Sequence, residues 1–207
     1  MVEEQLRAGG IRDERVLAAM GKVPRHAFVE EALRGRAYGD YPLSIGEGQT
    51  ISQPLMVALM TEVLRLHGTE KVLEIGTGCG YQTAILCELA REVYSVERIA
   101  RLSHRARRVL YDLGYLRFRL RIGDGSTGWP EAAPFDRIIV TAAGPSVPPA
   151  YLEQLTPEGR LVIPVGGGDQ QILKLVYRTG DRTVEEALGA CRFVRLIGEY
   201  GWKMERS

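Results

Sequence analysis

The chain has almost no surplus charge: Lys and Arg number 27 against 26 Asp and Glu in 207 residues, for a net charge near +1. That balance supplies no general field to attract a polyanion, so nucleic acid is not an expected partner. Cysteine is scarce as well. Cys79, Cys87 and Cys191 are an odd set without C-x-x-C spacing, which argues against a disulfide framework and against a cysteine zinc site. No metal site is expected. Apolar runs stop well short of the roughly 20 residues that span a bilayer, and Met1-Val2-Glu3-Glu4 lacks the basic and then apolar pattern of a secretory signal. The expectation is a cytoplasmic protein with no membrane partner. Internal repeats, low-complexity tracts and long linkers are also missing.

What is present is the composition of a compact globular protein, 45% hydrophobic and 26% charged. A chain of this length fits one domain. Its expected parts are an N-terminal helical and cleft-forming region over 1–66, a core over 71–165, and C-terminal strands over 166–207 completing sheet and cleft. Residues 1–34 read as two helical pieces broken at Gly9-Gly10 and Val23-Pro24, packing across the main sheet. Met56, Leu59, Met60, Val63 and Leu64 form the stripe of an amphipathic helix, with Ser52 placed to cap its start and Pro54 in its first turn.

From Lys71 short apolar runs alternate with helical patterns, the signature of a mostly parallel α/β sheet. Strands are expected over 72–75, 93–96, 119–122, 137–140 and 160–164, with 172–177 and 191–196 closing the sheet by antiparallel pairing. Helices are expected over 81–89 and along the stripe Ile99, Leu102, Ala106, Val109, Leu110 and Leu113, ended by Gly114.

The first strand runs into Gly76-Thr77-Gly78-Cys79-Gly80 and then a helix, where the backbone must turn tightly beside a ligand. A dinucleotide fingerprint wants G-x-G-x-x-G, and Tyr81 occupies the place of its last glycine, so NAD is the poorer fit. Glu74, at the end of the strand, is placed to orient the turn or to accept a bond from an amino-acid part of the ligand. Glu97, 23 positions later at the end of the second strand, has the carboxylate that accepts two ribose hydroxyls. Asp124, within Gly123-Asp124-Gly125, offers an acceptor to an adenine amino group. In this order the features resemble the class I S-adenosylmethionine-dependent methyltransferases over residues 71–165. The resemblance implies a Rossmann-like α/β fold, a seven-stranded sheet with one antiparallel strand, helices on both faces and an N-terminal helical extension. It also implies S-adenosyl-L-methionine as methyl donor and S-adenosyl-L-homocysteine as product.

A second segment is more particular. Leu43-Ser44-Ile45-Gly46-Glu47-Gly48-Gln49-Thr50-Ile51-Ser52-Gln53-Pro54 resembles the hallmark of the protein-L-isoaspartate O-methyltransferases, and Val23-Pro24-Arg25, residues 139–143, Pro164-Val165-Gly166 and Arg192-Phe193-Val194 follow in that family's order. The family implies methyl transfer to the free α-carboxyl of L-isoaspartyl residues in damaged proteins and peptides, after which the ester closes to a succinimide. By this resemblance Gln49, Thr50, Ile51, Glu74, Gly76, Thr77, Gly78, Cys79, Glu97, Asp124 and Gly125 hold the cofactor. Ser52 is the active-site serine, and Ser52, Gln53, Val194 and Leu196 meet the substrate. Arg195 stands where the family usually has proline. No general base is required, because a carboxyl of ordinary pKa, about 4, is already ionised at neutral pH. His26, His67 and His104 are therefore read as structural or surface residues.

Two other readings keep the same cofactor turn: a methyltransferase acting on RNA or a small molecule, and a non-catalytic S-adenosylmethionine-binding module. The segment 43–54 favours neither, and Arg98, Arg101, Arg105, Arg107 and Arg108 are read as the solvated basic face of an amphipathic helix.

Overall fold

The computed structural model describes residues 1–168, 170–179 and 182–204. The chain opens with a π-helical turn Val2–Arg7 and helix α1, Glu14–Lys22. Asp13 caps α1 by accepting the Arg15 N–H at 2.9 Å, with Glu14 in the first turn and Lys22 in the last, as the helix dipole favours. The expected breaks fall where predicted: Gly10 has φ +102° and Val23 is extended before Pro24. Beyond Pro24, however, the chain forms only 3₁₀ turns, Arg25–Phe28 and Glu31–Arg36. No residue of Glu31–Arg36 is buried, so no packed face supports a longer helix there. Nor does α1 lie directly across the sheet, since it packs mainly on helices α2 (Pro54–Val63) and α3 (Tyr81–Leu89).

A small hairpin, β1 (Leu43–Gly46) with β2 (Gln49–Ile51), precedes α2. The α2 stripe is rotated from its expected position. Val57, Ala58, Met60, Thr61 and Leu64 are buried while Met56, Leu59 and Val63 are only partly so, because the helix is covered on more than one side.

The main sheet consists of β3 (Lys71–Ile75), β4 (Glu92–Glu97), β5 (Phe118–Ile122), β6 (Phe135–Val140), β7 (Leu155–Gly167), β8 (Gln170–Thr179) and β9 (Arg182–Cys191), with α4 (Ala100–Asp112) between β4 and β5. Its order is β5-β4-β3-β6-β7-β8-β9, and β8 alone runs against the others. The seventh strand is not the expected 191–196. It is β9, a charged edge strand with hardly a buried residue, whose Glu185 and Glu186 disguise it in a search for apolar runs. Residues 192–196 instead cross the carboxyl end of the sheet, where Arg195 bridges Ala143.

Central β3 is covered on both faces. Val72 belongs to one core cluster with α1, α2, α3 and α4, whereas Leu73 and Ile75 belong to another beneath α5 (Pro149–Glu153), Trp129 and Leu196. Helices thus lie on both faces, but the second is more thinly covered. Among the described residues no helix is long and apolar enough to cross a membrane.

Candidate active site

The chain winds outward from β3 through β4 to β5 and then returns to place β6 on the other side of β3. At such a reversal the loops leaving the carboxyl ends diverge and open a crevice. Gly76 follows β3 and Thr141 follows β6, and the two face each other across it. A Cβ on Gly76 would stand 2.3 Å from Thr141 Oγ1, and φ at Gly76 is +96°, so both space and backbone demand glycine there. The Thr141 hydroxyl lies 2.8 Å from the Gly76 carbonyl and 3.0 Å from that of Ile75.

The turn is held from behind. Gly76 N–H donates to Val96 O at 2.8 Å, and the Thr77 and Ser95 hydroxyls bond at 2.6 Å. Glu97, 7% exposed, accepts Gly78 N–H on one carboxylate oxygen at 2.9 Å and Ile99 N–H on the other at 2.8 Å. Each oxygen keeps a lone pair for a further donor, so the carboxylate ties the turn to the start of α4 and can still receive a vicinal diol.

Glu74 does not reach the crevice. Alternation along β3 turns it under α3, where Thr83 donates to it at 2.5 Å and its other oxygen is buried without a partner. Burial pushes its pKa up to about 8, so the side chain is a neutral acid supporting the turn from below, not a ligand to an amino group. Asp124 likewise does not line the crevice, although its second oxygen, like those of Glu97, accepts only one bond. One oxygen accepts Ser126 N–H and Oγ–H, the other accepts Glu199 N–H, and these bonds fasten the C-terminal segment. Its neighbour Gly125 does line the crevice, closely enough that a Cβ would meet Ile75 at 2.6 Å.

The β1–β2 hairpin forms the opposite wall. Its turn, Gly46-Glu47-Gly48, has φ of +84°, +54° and +67°. Two arginines of α4 hold it, Arg101 to the Glu47 carboxylate at 3.1 Å and Arg105 to the Ile45 carbonyl at 2.7 Å, while Arg107 donates to Leu120 O. The basic face of α4 is therefore partly spent on the hairpin and on β5, rather than wholly solvated.

Three hollows meet here. A cleft of about 350 Å³ includes Gln49, Thr50, Gly76, Gly78, Glu97 and Gly125 in its lining. A groove of about 510 Å³ runs past Ser52, Gln53, Met56 and Phe193. A narrow recess of about 40 Å³ reaches Ile51, Thr77, Cys79 and Tyr81. Thr50 and Thr141 line all three, and Ser52 lines the groove and the recess. Ser52 is not the helix cap expected of it: α2 begins at Pro54 with Gln53 in the cap position, and Gln53 sends its amide to Asp40 at 2.8 Å. Val194 borders both cleft and groove, whereas Leu196 borders the cleft only. Arg195 lines the cleft and stacks its guanidinium 5.5 Å from the Trp202 ring centroid. Burial pushes the Cys79 thiol up to about 11, which leaves it unreactive at neutral pH. His26 bonds Tyr38 and His67 bonds Arg15, and the described residues hold no cluster of metal-ligating groups.

Sequence reasoning missed Thr141 and Arg192 as site residues, although both lie in segments that carry the resemblance. Thr141 falls within 139–143, which marked the family but not the residue's role, and its place becomes visible only once β6 is known to lie beside β3.

The chain matches the profile of the Protein-L-isoaspartate(D-aspartate) O-methyltransferase (PCMT) family over residues 1–201. It is 58% identical over 205 residues to a protein-L-isoaspartate O-methyltransferase of Syntrophus aciditrophicus, covering 98% of this chain and 94% of that one. The corresponding protein of Geobacter metallireducens is 57% identical over 206 residues, covering 99% and 95%. Among solved structures, a protein-L-isoaspartate O-methyltransferase superposes with TM-score 0.86 at 29% identity, over 95% of this chain and 65% of that longer one. A Plasmodium falciparum chain solved with S-adenosyl-L-homocysteine shares the fold, with TM-score 0.82 at 24% identity over 95% and 96%. With a matching profile over nearly its whole length and relatives above half identity, the chain belongs to the protein-L-isoaspartate(D-aspartate) O-methyltransferase family.

Proposed function

We infer that this protein transfers a methyl group from S-adenosyl-L-methionine to the free α-carboxyl of L-isoaspartyl residues in damaged proteins and peptides, in the cytoplasm. The observation that carries the reading is the meeting of cleft and groove at Thr50 and Thr141, with Ser52 on the groove side. The cleft fits the donor. Glu97 takes the ribose hydroxyls, Gly76 and Gly78 let the chain approach the amino-acid part, and Gly125 leaves room beside the base. The groove takes an extended peptide, and the Ser52 hydroxyl donates to its carboxylate.

The substrate carboxylate is ionised at neutral pH, so one of its oxygens attacks the methyl carbon directly as the carbon–sulfur bond breaks. Sulfonium and carboxylate disappear together, leaving a neutral ester and a neutral thioether. The protein's work is to align oxygen, carbon and sulfur and to keep water out of the junction. That the arginines of α4 serve the hairpin disfavours an RNA substrate.

The test uses two peptides of one composition, one with L-isoaspartate and one with L-aspartate, and radiolabelled S-adenosylmethionine. The isoaspartyl peptide should take label that mild base releases, and the aspartyl peptide essentially none. Equal labelling, or a base-stable product, would leave the donor right and the substrate wrong.

A further inference from the structure

Beneath Ser52 lies a charge that the transfer scheme does not use. Arg25 has no exposed surface. Its Nε donates to the Ala37 carbonyl at 2.6 Å and one terminal nitrogen donates to the Ser52 carbonyl at 2.7 Å. The guanidinium lies 4.8 Å from the ring centroid of Tyr81, the first residue of α3 and part of the narrow recess. The other terminal nitrogen is buried and has no partner. Among the described residues no Asp or Glu forms an ion pair with it, although ten ion pairs are present elsewhere.

A clamp for two carbonyls needs donors, not a full charge. Neutral donors would serve at far less cost than a guanidinium taken out of water with no counter-ion, and a guanidinium stays protonated at any accessible pH. The arrangement makes sense if the counter-ion arrives with the substrate. An ionised carboxylate entering the groove at Ser52 leaves water itself, and a buried positive charge held at the Ser52 main-chain carbonyl is what it lacks.

We propose that Arg25 is a positioning residue for the carboxylate site, its guanidinium fixing the main chain at Ser52 and supplying the positive charge that balances a bound substrate carboxylate. This rests on the reading that Ser52 meets the substrate. The charge acts on the ground state, because the carboxylate is consumed in the reaction. Its removal should raise KM for the isoaspartyl peptide much more than it lowers kcat, and should leave donor affinity nearly unchanged.

The experiment compares binding of an isoaspartyl peptide with that of its isoasparaginyl counterpart, whose free carboxylate is an amide, in the presence of S-adenosylhomocysteine. Wild type should prefer the carboxylate by about tenfold or more, a preference worth roughly 1.4 kcal/mol per tenfold. A buried charge is poorly screened, so the preference should be the same at about 0.05 M and about 0.5 M salt. Arg25→Gln should abolish it, and Arg25→Lys, which keeps the charge and loses the fork, should restore part. A preference that survives Arg25→Gln, or an equal loss of both peptides, would reduce Arg25 to a structural clamp. Should thermal melts show the variants unfolded, the wild-type salt series still decides: a preference that collapses at high salt places the attracting charge at the surface and overturns the proposal. Failure of wild type to methylate the isoaspartyl peptide would instead strike the functional reading itself.

Discussion

Two Gly-x-Gly turns face each other across the cleft, and they are built in opposite ways. Gly76-Thr77-Gly78 is fastened at every residue, by Val96, Ser95 and Glu97, and a side chain at Gly76 would collide with Thr141. Gly46-Glu47-Gly48 is left-handed at all three residues, where the first turn is so only at its glycines, yet a Cβ at Gly46 or Gly48 would meet nothing within 4 Å. The turn itself is held by an ion pair whose arginine is 86% exposed and by one bond from Arg105 to the carbonyl of Ile45, whose buried side chain anchors the strand just before it. The first turn needs glycine for space as well as for φ, whereas the second needs it for φ alone. The difference assigns the first a preformed shape and leaves the second free to adjust around a ligand.

The largest break in that comparison should come from Gly76→Ala against Gly48→Ala. The first forces a left-handed backbone on alanine and pushes apart the end of β6, at a cost of about 3 kcal/mol or more, and should abolish donor binding in a calorimetric titration. The second pays only for the backbone, about 1 kcal/mol, and should shift donor affinity by a few-fold.

Next in size is the acid under the rigid turn. Glu74 is neutral in the folded protein up to about pH 8 but ionises near its ordinary 4.5 once unfolded. The folded state therefore holds the extra proton between those values. The stabilising contribution is full below the lower value and is lost as pH rises through the upper one. Denaturant melts from pH 5 to pH 8.5 should show wild type losing stability relative to Glu74→Gln, by on the order of several kcal/mol at most. Parallel curves would mean that the carboxyl is ionised and solvated.

The smallest effect should be Glu47→Gln. An exposed ion pair contributes roughly 0–1 kcal/mol, so melting should hardly move. The donor's dissociation rate in stopped flow should rise a few-fold at low salt and match wild type at about 0.5 M salt, where screening removes the pair.

The two turns also differ in how legible they were. The rigid half could be read because strand, turn and helix are contiguous: apolar 72–75, the glycines and 81–89 each signal their own structure locally. Glu74 was misplaced despite this, since its face of β3 is decided by the packing of α3 and not by its position at the strand end. The hold of Asp124 on the tail was not legible because the partner on its second oxygen, Glu199, lies 75 residues away and only the folded tail brings it near. On the hairpin side the residues were located through resemblance, while their anchors on α4 were taken for solvated charge. β9 escaped notice because an edge strand buries too little to show a pattern. Thr141 and Arg25 fall in segments that marked the family, but they act through neighbours distant in sequence, at Gly76 and Ser52, so nothing local showed their roles.

The difference between the turns is tested most directly by amide hydrogen exchange with and without S-adenosylhomocysteine. Amides of 72–80 should already exchange slowly in the free protein and change little, whereas those of 46–50 should exchange quickly and slow on binding. Equal initial protection of the two turns, or a larger change at 76–78 than at 46–48, would contradict a preformed cradle facing an adjustable wall.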